Sequence, residues 1–132
     1  MRTQKWLAVV AMVAVTSTAW AHHSFSAEYD TSKPVVVTGV ITAISLVNPH
    51  ADFKLKVEGA EFKVQIVRPQ ELAAKKLTPD RFKVGATVVV RGAPSKTDKS
   101  LLGAVSMTFQ DGTVAEKLDE WSFNGRSARP GK

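Results

Sequence analysis

The chain of 132 residues contains no cysteine. Disulfides, thiolate metal ligands and thiol redox chemistry are therefore excluded. Long apolar runs are missing too, because the run from Trp6 to Val15 has only ten residues, and a membrane-spanning helix needs about 20. Glycine-rich phosphate loops and paired-carboxylate motifs are also absent. These absences leave few classes of chemistry open.

The short apolar run has the context of an export signal. Two basic residues precede it, and a stretch of small residues follows it and ends in an A-x-A pattern at Ala19 and Ala21. This arrangement is typical of a secretory signal peptide. We expect residues 1–21 to be removed, the mature chain to begin at His22, and the protein to be periplasmic or secreted with no membrane span after processing.

The mature chain is small and mildly basic. The full sequence has 18 Lys and Arg against 12 Asp and Glu, and two of the basic residues lie in the signal. The mature net charge is therefore +4, which favours contact with anions without requiring it. Residues 22–115 are enough for one small domain with a single core. The polar composition of residues 116–132 predicts a mobile tail.

Alternating apolar and polar residues predict five strands. A long β-prone run at 35–47 comes first, a hairpin at 51–67 follows, and the last two strands lie at 87–91 and 101–109, with a short extra strand after the turn at 110–113. In the hairpin, Phe53, Leu55, Phe62 and Val64 should face the core, while the lysines between them face solvent. Between the third and fourth strands, residues 70–77 contain good helix formers and predict one short helix.

This order of strands and helix is that of the OB-fold, a small, partly open Greek-key barrel. Gly39 interrupts the long first strand, as expected where a strand must bend sharply to serve both sides of a barrel. We therefore predict a mainly β fold, a small five-stranded OB-like barrel with one short helix between strands 3 and 4. Another small β-sandwich with one helix is the alternative.

Four short motifs resemble those of a known family: Ala-His-His-Ser-Phe at 21–25, Lys-Pro leading into Thr-Gly at 33–39, Asn-Pro-His-Ala at 48–51, and Asp-Gly at 111–112. Together they resemble the Domain of Unknown Function 6152 family of exported bacterial proteins. The resemblance implies export and one compact β domain, and it implies no established reaction. Phe62 and Gln65 stand where the family pattern has a tryptophan and a glutamate.

Three histidines remain in the mature chain, and they predict a copper site. A histidine at position one can bind Cu(II) through its α-amine and one ring nitrogen, and a second imidazole can complete a T-shaped site. Nitrogen ligands in a near-planar arrangement favour Cu(II) among the divalent metals. We therefore predict a metal site of His22 and His50, with His23 as a further candidate ligand and copper as the metal.

Other interpretations of these histidines stay open. Cleavage after Ala19 would place His22 third, where the amine, two amide nitrogens and the imidazole can chelate Cu(II) or Ni(II). A histidine after Asn-Pro often hydrogen-bonds its own turn, and residues just past a cleavage site are often disordered. Glu28 and Asp30 lie close to the histidines in sequence and could orient an imidazole.

The residues favour metal handling or delivery over catalysis. Ser24 beside His23 has no triad context, and a histidine-brace oxidase would need a substrate surface that no motif identifies. Nucleic-acid binding is not expected, because Phe53 and Phe62 should point inward and away from the basic face of the hairpin. The alternative function is a metal-free binding module that docks an anionic envelope ligand or another envelope protein.

Overall fold

The computed structural model describes residues 24–121, and residues 1–23, which include the predicted signal peptide, lie outside them. Within this range the chain forms a short helix, six strands and one 3-10 helix. The elements are α1 (Phe25–Glu28), β1 (Val35–Ser45), β2 (Asp52–Val57), β3 (Ala60–Gln65), the 3-10 helix (Pro69–Glu71), β4 (Thr87–Pro94), β5 (Leu101–Phe109) and β6 (Val114–Ala115). No helix in the described range is long and apolar enough to cross a membrane.

Five of the strands close into a barrel. β1 pairs with β2 on one side and with β4 on the other, β2 pairs with β3, and β4 pairs with β5, all antiparallel. The barrel closes where β3 runs parallel to β5. β6 lies outside, paired with the end of β5. The prediction of a mainly β, small five-stranded OB-like barrel is confirmed.

β1 bends at its middle so that it can serve both sides of the barrel. Its first half, Val35 to Val40, pairs with β4, and its second half pairs with β2 from Val40 onward. A Cβ atom at Gly39 would lie 2.4 Å from the carbonyl oxygen of Lys56. Only glycine allows this close approach of β2, so the predicted role of Gly39 has a direct steric cause.

The hairpin of β2 and β3 contributes one face to the core. Phe53, Leu55 and Val64 are completely buried, while the lysines between them are exposed. Phe62 is only partly buried and packs against the margin of the core. The predicted alternation is therefore correct, but Phe62 lies nearer to the barrel surface than the sequence indicated.

The segment between β3 and β4 is less helical than predicted. A 3-10 helix covers only Pro69–Glu71, and turns continue to Lys76, whose φ is 65°. The N–H of Leu77 donates to the carbonyl oxygen of Leu72 at 2.8 Å, the bond that closes a helix at a left-handed residue. Leu72 and Leu77 are both buried. The segment therefore ends early so that both leucines can reach the barrel core.

The chain after β6 packs against the barrel as far as it is described. Leu118 is completely buried, and its N–H donates to the carbonyl oxygen of Val105 at 3.0 Å. Trp121 is half-buried. Residues 116–121, which the composition assigned to a tail, thus contribute apolar side chains to the packed domain. Residues 122–132 lie outside the described range.

Candidate metal site

His50 occupies the loop between β1 and β2. The Asn48–Pro49 peptide bond before it is cis, and Ala51 after it is completely buried. The N–H of Ala51 donates to the carbonyl oxygen of Val67 at 3.0 Å, and its own carbonyl accepts from the N–H of Ile66 at 2.9 Å. These two bonds extend the hairpin ladder, so the backbone at the half-buried His50 is fixed to the barrel.

The imidazole of His50 stacks on the indole of Trp121. The two ring centroids are 3.8 Å apart, and the ring planes differ by 29°. The same indole meets Phe25 edge-on at 5.3 Å and Tyr29 edge-on at 5.7 Å. Offset-stacked and edge-to-face arrangements are the favourable geometries for aromatic pairs. The indole therefore connects His50 with the start of the described chain.

The segment that directly follows His22 and His23 is packed onto the barrel. Phe25 begins α1 and is buried together with Tyr29, and their rings stack at 4.8 Å. Both rings pack against Gly103 of β5. A Cβ atom at Gly103 would lie 2.4 Å from the Phe25 ring and 2.8 Å from the Tyr29 ring. The position of this segment therefore depends on the absence of a side chain at Gly103.

Backbone hydrogen bonds also hold the segment to β4 and the loop after it. The N–H of Asp30 donates to the carbonyl oxygen of Pro94 at 2.8 Å, and the N–H of Lys96 donates to that of Glu28 at 3.0 Å. Tyr29 and Ser95 form an isolated antiparallel bridge. These bonds add a short ladder to the aromatic contacts, so the start of the described chain is fixed on two sides.

Tyr29 donates a hydrogen bond to Oε1 of Gln65. Burial raises the pKa of Tyr29 far above its usual value, and the negative charges of Glu28 and Asp52 raise this pKa further. Asp52 stands opposite Gln65 in the hairpin and forms an ion pair with Lys63 at 3.8 Å. A neutral phenol therefore borders the site on the side of β3.

Two ion pairs involve the segment between β3 and β4, which contains the 3-10 helix and is called the 3-10 segment. Arg68 and Glu71 are 3.6 Å apart with little exposure, and Lys75 meets Glu120 at 3.5 Å. The second pair joins the 3-10 segment to the residue next to Trp121. Through these pairs the charges of Arg68, Glu71 and Lys75 are each balanced by a partner of opposite sign.

The structure locates one of the three predicted histidine ligands. His22 and His23 lie outside the described residues, so the predicted meeting of His22 with His50 remains a prediction. Within residues 24–121 no group of three or more His, Cys, Asp and Glu side chains could hold a metal ion. Asp30 is engaged in its own turn, where it accepts from the N–H and hydroxyl of Ser32, and these bonds lower its pKa.

Sequence reasoning missed the aromatic residues around His50. Phe25 and Tyr29 lie before the first predicted strand, in a stretch for which the sequence predicted no element, and Trp121 belonged to the predicted tail. The available signal was the presence of large aromatic side chains in otherwise polar terminal segments, where burial of such a side chain would stabilise a fold strongly. Aromatic residues in both terminal segments could have predicted that the two segments meet.

A family model matches residues 9–103, and its description is a family of unknown function (DUF6152). The match extends through all three histidines and ends inside β5. No curated protein matches the chain significantly.

Proposed function

We propose a copper-binding function for this chain, which belongs to the DUF6152 family of unknown function. After cleavage at Ala21, the α-amine and imidazole of His22 would chelate Cu(II), and the imidazole of His50 would supply a third nitrogen. Three nitrogen ligands in a near-planar arrangement suit Cu(II). His23 is a further candidate ligand on the same segment.

The observation that carries this proposal is the shared indole. Phe25 and His50 both contact Trp121 directly, and His22 precedes Phe25 by three residues. An extended chain spans about 10 Å over three residues. This spacing supports the proposal, because His22 would be within reach of an ion bound to His50.

We propose that the protein handles or delivers copper outside the cytoplasm. Three protein nitrogens leave coordination positions of Cu(II) open. A ligand from an acceptor could bind at such a position and take over the ion. His50 lies at the barrel surface and is only half-buried, so an acceptor could reach it. The apolar run and A-x-A pattern of residues 6–21 support export to the periplasm or the medium.

A metal-free binding module is the second candidate, and one observation favours it. Leu46 and Val47, in the loop that leads to His50, are 60% and 61% exposed. Two adjacent apolar side chains in a loop at the mouth of a small barrel are suited to contact with a partner, since OB-folds often bind their ligands through such loops. This function would not require His22 or His50.

Calorimetric titration with Cu(II) separates the two candidates. For protein that begins at His22, we expect one tightly bound Cu(II) per chain, a weaker interaction for His50→Ala, and a smaller loss for His23→Ala. Thr108→Ala, an exposed change on β5, is the control. Equal affinities of wild type and His50→Ala would reduce the site to a terminal chelate. No binding by wild type would favour the metal-free module.

A further inference from the structure

We propose that Trp121 is a positioning residue that fixes the plane of the His50 imidazole in the copper site. The inference rests on the proposed copper site and adds a residue that the histidine pattern does not contain. A metal bound through an imidazole nitrogen lies close to the plane of the ring. Whatever fixes that plane therefore determines where the metal can sit.

The stack restricts the rotation of the His50 ring about its terminal torsion. The terminal torsion of a histidine side chain is broad and roughly two-fold. Contact at 3.8 Å, with planes 29° apart, holds the imidazole nearly parallel to the indole. Phe25 and Tyr29 meet the same indole edge-on. The indole of Trp121 therefore contacts both His50 and the amino-terminal segment, residues 24–30, that carries Phe25 and Tyr29.

Trp121 is itself held by contacts that do not involve His50. Leu118, three residues earlier, is buried and hydrogen-bonded to Val105. Glu120 pairs with Lys75 at 3.5 Å, and the backbone N–H of Trp121 donates to the carbonyl oxygen of Asp119 at 3.0 Å. Since these contacts fix the backbone up to Trp121 on the barrel independently of His50, the indole can orient His50 rather than merely follow it.

The indole of Trp121 could act through its ring or through its N–H, and two substitutions distinguish these roles. The Nε1 atom of Trp121 is buried and has no hydrogen-bond partner in the described part of the chain. An unsatisfied buried donor opposes folding, so a phenylalanine would meet a purely structural need at this position at lower cost. Trp121→Phe therefore retains an aromatic ring that can stack and removes the N–H together with the second ring of the indole, whereas Trp121→Leu removes aromatic stacking altogether.

The first test uses metal-free protein. Protons above an indole face are shifted upfield in the NMR spectrum, so the His50 ring protons should be shifted in wild type and in Trp121→Phe, and should move toward free-histidine positions in Trp121→Leu. Phe82→Leu is the matched control, because Phe82 packs edge-on against Phe53 in the core. Unchanged His50 resonances in Trp121→Leu would overturn the inference.

The second test measures Cu(II) affinity and the electron paramagnetic resonance spectrum of the same proteins. We expect Trp121→Leu to bind Cu(II) about tenfold more weakly, as when other groups that orient a metal ligand are removed, and to show an altered spectrum. Trp121→Phe and Phe82→Leu should match wild type. Equal affinity and spectrum in Trp121→Leu would contradict the positioning role. No Cu(II) binding by wild type would overturn the proposed function, and the metal-free spectra would still decide whether Trp121 orients His50.

Discussion

Tyr29 donates a hydrogen bond to the side-chain oxygen of Gln65, and this bond ties the segment before β1 to the last residue of β3. Tyr29 is completely buried and is the only tyrosine in the chain. Burial is the main cause that raises its pKa, and the carboxylates of Glu28 and Asp52 add to the effect. The phenol is therefore a probe of whether the amino-terminal segment stays docked on the barrel.

The raised pKa of Tyr29 predicts a loss of stability at high pH. The unfolded chain releases the phenol proton near pH ~10, whereas the folded chain retains it. The free energy of unfolding should be unaffected by this group below pH ~10 and should fall as the pH rises above it. Urea denaturation across this range tests the expectation, and Tyr29→Phe should lack this component. Phenolate absorbance appearing at pH ~10 in folded protein would contradict the burial of Tyr29.

The close contact at Gly103 predicts that Gly103→Ala is destabilising. The new methyl group would lie 2.4 Å from the Phe25 ring, so Phe25 and Tyr29 would have to move. Overpacking of this kind typically costs about 1–3 kcal/mol. Thermal or urea unfolding should show this loss, while the exposed control Thr108→Ala on the same strand should stay within about 0.5 kcal/mol of wild type. Wild-type stability in Gly103→Ala would mean that the segment is not seated on β5.

The hairpin predicts a graded series of stability losses. Phe53→Ala should cost about 3–5 kcal/mol, because Phe53 is fully buried and large-to-small core changes have this cost. Phe62→Ala should cost clearly less, because Phe62 is only partly buried. Lys54 pairs with Glu61 at 3.7 Å on the surface, so Lys54→Ala should change stability by less than about 1 kcal/mol. Urea denaturation of the three variants checks the order, and equal losses for both phenylalanines would contradict the burial pattern.

The barrel was predictable from the sequence because its strands carry local evidence. Alternation in the hairpin marks two paired strands, and Gly39 marks the bend in β1. The 3-10 segment was not predictable at the same precision. Good helix formers at 70–77 favour a helix, but burial of both Leu72 and Leu77 closes it early. Tertiary packing outweighs a helix propensity of a few tenths of a kcal/mol per residue.

The surroundings of the candidate site depend on contacts that no local pattern encodes. His50 could be identified as a candidate ligand from the sequence, because the chain has only three histidines and His50 follows Asn-Pro in a predicted turn. Trp121 lies 71 positions later in a polar segment, and nothing in its neighbourhood predicts contact with His50. Phe25 and Tyr29 pack there only because Gly103, on a third segment, leaves room. Such contacts follow from the closed barrel and not from periodicity.

Processing should produce a chain that begins at His22. The short apolar run followed by the A-x-A pattern motivates this expectation. Intact-mass analysis of protein recovered from the exported fraction is the measurement. A chain that begins at Trp20 would transfer the metal proposal to chelation by backbone amides with His22 in third position. Exported protein that retains Met1 would contradict both forms of the proposal.

The proposed copper site requires that the amino-terminal amine and His50 hold one Cu(II) ion together. Calorimetric Cu(II) titration of two His23→Ala proteins tests it most directly, with one protein beginning at His22 and the other carrying one added alanine before it. The His23→Ala change is needed in both, because the added alanine would otherwise place His23 third, where it could chelate Cu(II) with the amine and two amide nitrogens. We expect tight 1:1 binding by the first and much weaker binding by the second, because the added residue moves the free amine away from the His22 imidazole. Equal affinity of the two proteins would contradict it.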